Sequence, residues 1–378
     1  MRFTQVHFAI TILLLLGAAI IFTAFPVREA AGRSSQPAVP QYKADPFWPK
    51  PLPNNWLVGQ VSGVAVDSAD HIWIIHRPGT LEPDEVVQAN KPPNELAYIP
   101  APPVIEFDQE GNFVGAWGGL APGYEWPERE HGIFVDAKEN IWIGGAGPQD
   151  HQVLKFRRDG TFILQIGRSG KTGGSNDKKL LGRPAEFDVD VEANEIYIAD
   201  GYLNRRIVVF NADTGAYKRH WGAYGNQPDD ADIGPYDPKQ PPASQFRSPV
   251  HAVRLSRDGL LYVCDRNNDR IQVFHKDGRF VKEAFIAKDT TANGTAWDLD
   301  FSRDAGQTLL FVPDGTNQRV WIMRRSDLSI VGHFGRSGRN AGHFHWVHSL
   351  ALDSRGNIYT GEVQNAKRVQ KFVIEGKQ

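Results

Sequence analysis

An all-β, six-bladed β-propeller is the fold class this sequence predicts, and three observations predict it. One strand pattern recurs six times, each copy holds short alternating apolar strands joined by hairpin turns, and Gly (37) and Pro (25) are abundant enough to make those turns. A four-stranded sheet cannot bury both of its faces alone, so six of them are expected to pack radially around one axis. A β-sandwich would not require six similar units.

Taken in order, the first strands begin near Val64, Ile133, Phe187, Ala252, Asp298 and Ser349. Second strands follow at residues 72–75, 141–143, 196–199, 261–264, 309–312 and 358–360, where alternation and β-branched residues favour extended backbone. Third strands are read at 153–156, 207–210, 271–274, 320–323 and 369–373. Asp159-Gly160, Asp277-Gly278 and Gly111-Asn112 are hairpin turns, and the fourth strands they start end on Trp117-Gly118, Trp221-Gly222 and Phe334-Gly335. Two Pro-rich polar stretches, 78–103 and 225–245, exceed the repeat and are read as rim loops.

The propeller is expected to span 55–375, after a Pro-rich linker at 33–54 and a signal peptide or membrane anchor at 1–32. The anchor reading rests on an uncharged, mainly apolar run at 8–25, with Arg2 and His7 before it. The folded part is therefore expected to be exported, to the periplasm or the extracellular space, touching membrane only through that segment. A monomer is expected. A net charge of −2 offers no electrostatic case for nucleic acid. The single cysteine, Cys264, lies in an apolar strand, which excludes internal disulfides and cysteine-based metal sites.

Three histidines stand in phase in alternate copies: His131-Gly-Ile-Phe-Val-Asp136, His251-Ala-Val-Arg-Leu-Ser256 and His348-Ser-Leu-Ala-Leu-Asp353. Blades two, four and six of a six-bladed ring are about 120° apart, so these side chains converge on the axis at one mouth. The matching positions in blades one, three and five are Ser62, Ala185 and Trp297. Three neutral imidazoles with an open fourth position form the ligand pattern of a catalytic zinc. Arg77, Tyr202 and Arg266 end or follow second strands, which places them at the same mouth. Two guanidiniums and a phenol beside a metal suit a small-molecule or peptide substrate with a carboxylate.

At these residues the chain resembles the peptidyl-α-hydroxyglycine α-amidating lyases, zinc-dependent six-bladed propellers of the NHL-repeat type. The resemblance runs from about 58 to 372. It is carried by Gly59-Gln-Val-Ser-Gly-Val-Ala-Val-Asp67, Ile75-His-Arg77, Asp200-Gly-Tyr-Leu-Asn-Arg-Arg-Ile207 and Asp265-Arg-Asn-Asn-Asp-Arg-Ile-Gln-Val-Phe274. It implies zinc on His131, His251 and His348, Tyr202 as general base, and Arg77 and Arg266 as groups that bind and polarise the substrate. It implies cleavage of the N–C bond of a C-terminal α-hydroxyglycine to an amide and glyoxylate. It also implies a channel calcium held by the carbonyls of Val64 and Ile133 and by an aspartate, but Ser349 stands at the aspartate position. Losing the only charged ligand predicts weak calcium binding. The chain has no length for the copper monooxygenase that accompanies the lyase in animals, so another N-acyl carbinolamide or a separately made hydroxyglycine is the expected substrate. A non-catalytic NHL propeller that binds or scaffolds a partner is the alternative, and a propeller lactonase is a third reading that the histidines oppose.

Overall fold

The computed structural model describes residues 39–86 and 97–375. Six antiparallel four-stranded sheets form the blades of a propeller. From the axis outward, blade one is Gln60–Val66, Ile72–Arg77, Val104–Phe107 and Phe113–Trp117. Blade two is Glu130–Val135, Ile141–Gly145, Gln152–Phe156 and Phe162–Gly167. Blade three is Phe187–Asp190, Glu195–Asp200, Arg206–Asn211 and Tyr217–Trp221. Blade four is Val250–Leu255, Leu260–Asp265, Arg270–His275 and Phe280–Phe285. Blade five is Asp300–Phe301, Leu309–Asp314, Arg319–Arg324 and Ile330–Phe334. The last blade has Val347–Leu352, Ile358–Glu362 and Arg368–Ile374, and its outer strand comes from the other end of the chain: Tyr42–Asp45.

That closure revises the linker expected at 33–54. Tyr42 pairs with Ile374 and Asp45 with Lys371, so part of the stretch is sheet. Trp48 is buried against Phe107 and Tyr359 in the junction between the first and last blades. Four residues among prolines carry too little periodic signal to mark a strand, and their partner lies at the far end of the sequence. The hydrophobic run at 8–25 lies outside the described residues. Among those described, no helix is long and apolar enough to cross a membrane.

Each blade junction has its own hydrophobic cluster, six in all among the described residues. The third strands place Phe107, Phe156, Phe210, Phe274 and Phe372 in them, each no more than 2% exposed. Burying one such ring contributes roughly 1.5–3 kcal/mol, so the repeated aromatic fixes blade-to-blade contact at five junctions, and Met323 packs in the sixth. Inner hairpins are set by a repeated acid. Asp67 Oδ1 accepts the amides of Ala69 and His71, while Oδ2 accepts the Trp73 indole N–H. Asp136 does the same for Lys138, Asn140 and Trp142, and Asp353 for Arg355, Asn357 and the Tyr359 hydroxyl. One carboxylate thus shapes the turn and locks the aromatic six residues later, which holds the inner strand in register.

Candidate metal centre

The three phased histidines meet. His131, His251 and His348 have ring centroids 4.7, 4.8 and 5.0 Å apart, and one ring nitrogen from each lies within 4.8 Å of the others. All three are at most 3% exposed. Their aim comes from a local irregularity of the inner strands. The register with the second strand shifts between Glu130 and Ile133, between Val250 and Ala252, and between Val347 and Ser349. Each histidine is therefore in or beside a bulge, and a bulge turns a side chain away from the blade face, here toward the axis.

The odd blades supply the partners that orient the rings. His131 Nδ1 lies 3.0 Å from the Ala185 carbonyl, His348 Nδ1 lies 2.7 Å from the Ser62 carbonyl, and His251 Nδ1 meets the Trp297 carbonyl. These are the three positions that match the histidines in blades three, one and five. A carbonyl only accepts, so each Nδ1 carries the hydrogen and each Nε2 offers its lone pair. Burial pushes all three imidazoles well below the usual histidine range, with the neighbouring imidazoles and Arg77 adding to it at His131 and Arg266 at His251. The set is neutral and ready to ligate.

Tyr202 caps the triad. Its hydroxyl is 3.0 Å from His131 Nε2 and 3.1 Å from His251 Nε2. A single O–H hydrogen satisfies only one of those two lone pairs, so the buried donor set has more acceptors than this hydroxyl can serve. That surplus fits a cation with nitrogen preference, and small ring rotations bring the nitrogens to the roughly 3.3 Å spacing of a tetrahedral zinc site. A second group of potential ligands, Asp67, His71 and Glu106, behaves differently. Arg158 already sits among them, 2.8 Å from Asp67 Oδ2 and 2.9 Å from His71 Nδ1, and it also bonds Glu106, so this is an ion-pair cluster.

Arg266 donates to the Tyr202 hydroxyl at 3.3 Å, and its guanidinium stacks 4.3 Å over the Trp297 ring. Arg77 donates to the Glu130 carbonyl at 2.7 Å and to Gln60 at 2.8 Å, and its charge reaches Tyr202 and the three imidazoles. Burial, then the neighbouring Arg129, lowers Arg77 to about 10, so it stays charged at neutral pH. The residues expected at one mouth are thus brought together. Two more residues join them, Trp297, noted in the sequence only as the blade-five match to the histidines, and Arg183. Trp297 gives the site a ring as well as a carbonyl. Arg183 stands 5.6 Å over the Tyr202 ring while holding the Ala146 carbonyl, and no local pattern marks it.

The expected calcium ligands lie deeper in the channel. Ser349 is 1% exposed, and its hydroxyl donates to Asp298 Oδ2 at 3.0 Å while accepting the Val64 amide at 3.2 Å. It is committed to the protein and does not replace the missing carboxylate.

The NHL-repeat family model matches residues 247–274, in blade four. NHL repeat-containing protein 3 of Mus musculus is 28% identical over 354 residues, covering 88% of this chain and 84% of that protein. Peptidyl-alpha-hydroxyglycine alpha-amidating lyase 2 of Drosophila melanogaster is 27% identical over 349 residues, covering 85% of this chain and 75% of the fly protein. Among solved structures, a protein of unknown function from Bacteroides thetaiotaomicron superposes with a TM-score of 0.53 at 13% identity, over 84% of this chain and 70% of that one. That likeness speaks to the fold alone. The expected NHL-type propeller and the resemblance to the amidating lyases are borne out.

Proposed function

We propose that this propeller is a zinc-dependent lyase that cleaves the N–C bond of a peptidyl or N-acyl α-hydroxyglycine, giving an amide and glyoxylate. One observation carries the reading: three buried neutral imidazoles converge on a point that also faces the Tyr202 hydroxyl, within 3.1 Å of two of them. His131, His251 and His348 would hold the ion through Nε2, and bound zinc would supply Lewis acidity toward a substrate hydroxyl. The rest falls to the chain's own groups. Arg266 and Arg77 take the substrate carboxylate through charge-assisted bonds. Tyr202 takes the hydroxyl proton, and the guanidinium of Arg266 holds its oxygen in place. The carbon–oxygen double bond of glyoxylate then forms as the C–N bond breaks, and the amide nitrogen takes up a proton. No oxidant is consumed.

A binding role without turnover is the second reading, supported by the mouse relative, whose name describes its repeats and no reaction. The two readings separate on one experiment. Purified protein is incubated with N-acyl-α-hydroxyglycines, with and without a chelator, and glyoxylate is measured. Chelator-sensitive glyoxylate supports the lyase. Its absence from zinc-loaded protein across several acyl groups refutes the lyase.

A further inference from the structure

A buried arginine lies on the innermost strand of blade four, in the cavity that Val64 and Ile133 also line. Arg254 is three residues beyond His251 on the innermost strand of blade four, and it is 7% exposed. The matching positions of the other blades hold Ala65, Phe134, Asp188, Asp300 and Ala351. Its two neighbours around the ring, in blades three and five, are therefore the two acids. One layer nearer the histidines, those same blades carry Glu186 and Asp298, each at most 2% exposed. Arg254 Nη2 pairs with Asp298 Oδ1 at 3.0 Å, and Nη1 stands 3.8 Å from Glu186 Oε2. Nη1 also donates to the Phe187 carbonyl at 3.2 Å.

Arg303 pairs with Asp300 at 2.8 Å, and among the described residues Arg254 is the one cation paired with Glu186 and Asp298. Glu186 Oε2 has no hydrogen-bond partner, which leaves the guanidinium as its nearest compensation. Burial works against a charged Arg254, but Asp298, Glu186, Asp188 and Asp300 outweigh it and hold the group protonated. Burial raises Glu186, Asp188 (to about 7) and Asp298, so the excess acids are held partly by protons. Arg254 also lines the same cavity, of about 770 Å³, as Val64 and Ile133, the residues whose carbonyls were expected to hold calcium. A divalent ion there would meet a fixed guanidinium already paired with Asp298 and close to Glu186, and a serine at the position expected to supply an aspartate.

We propose that Arg254 is a tethered cation that stands in for a channel calcium, making this propeller calcium-independent and bracing the metal centre above it. The bracing follows from chain position. Glu186 comes directly after Ala185, and Asp298 directly after Trp297, the two residues whose carbonyls orient His131 and His251. A clamp from Arg254 to both acids holds those two carbonyls in place, which is how groups behind a metal ligand tune its affinity.

The inference stands whether or not the chain is a lyase, because its test reads binding and melting. Zinc-loaded protein is titrated with calcium chloride by calorimetry and melted in millimolar calcium and in calcium-free buffer without chelator. The wild type is expected to show no calcium heat and melting curves that agree within a degree. Arg254→Gln is expected to melt lower in the calcium-free buffer, to regain several degrees in calcium, and to bind zinc about tenfold more weakly or worse. Arg254→Lys keeps a cation and is expected to restore calcium indifference and most of the zinc affinity. Stoichiometric calcium on the wild type with a submillimolar Kd would overturn the proposal. So would an Arg254→Gln protein that melts and binds zinc like the wild type. If Arg254→Gln does not fold in either buffer, the wild-type titration and the Lys variant still decide.

Discussion

Removing the Asp200 carboxylate should unfold the region that carries Tyr202 far more readily than a surface charge change would. Arg206 and Asp200 are both fully buried, and they pair at 2.9 Å. The guanidinium also donates to the carbonyls of Ser175 (2.9 Å), Leu180 (2.7 Å) and Asp177. The carboxylate accepts the Gly182 amide at 2.6 Å and Asn204 Nδ2 at 2.7 Å. In Asp200→Ala those two donors lose their acceptor and Arg206 keeps its charge with carbonyls alone around it. An unpaired buried charge of this kind costs about 3–5 kcal/mol, against about 0–1 kcal/mol for an exposed pair. Equilibrium unfolding in guanidinium chloride, followed by tryptophan fluorescence, reads the difference. Replacing both partners with apolar residues, Asp200→Leu with Arg206→Met, should cost clearly less than the two single changes added together, because neither charge is then stranded. The network also brackets Tyr202, the proposed base. Tyr202 N–H bonds the Arg183 carbonyl at 3.1 Å, and Leu203 N–H bonds the Gly182 carbonyl at 2.9 Å. Glyoxylate release should therefore fall in Asp200→Ala while zinc content holds, since the histidines are on other strands. A loss below about 1 kcal/mol in Asp200→Ala would refute the reasoning, because it would mean the pair behaves as a solvated one.

The remaining expectations concern the metal and the ring. His131→Ala should lose zinc by elemental analysis, whereas Tyr202→Phe should keep zinc and lose about 10²–10⁴-fold in glyoxylate release, the usual share of one positioned proton acceptor. Because burial keeps the imidazoles well below their usual range, they are expected to take up far less proton between pH 7.5 and 5.5 than ordinary histidines. Three ordinary histidines would lose roughly 10³-fold in zinc affinity over that interval, and a competition titration should find far less here. Deleting residues 1–46 removes Tyr42 from its edge-on contact with Phe311 and its packing on Phe334, and strips the outer strand from the last blade. The truncated chain should melt several degrees lower and self-associate on size-exclusion chromatography, through the freed edge of Arg368–Ile374.

The repeats, the six blades and the phase of His131, His251 and His348 were legible in the sequence because each rests on local periodicity. Strand alternation and turn chemistry act over a few residues, and counting them six times locates the axis. The same counting put Arg77, Tyr202 and Arg266 at one mouth. The tertiary structure alone decided what holds those groups. The carbonyl that orients His348 belongs to Ser62, 286 residues away, and the strand that closes the last blade comes from a stretch that reads as linker. Bulges aim the histidines, and a bulge is a mismatch between two strands that neither strand shows by itself. Arg254 reads as one more basic residue on a β-strand until ring closure sets it between the acids of its neighbouring blades. Local pattern determined which residues face the axis. The meeting of distant strands around it determined their protonation, their partners and the cation that stands beneath them.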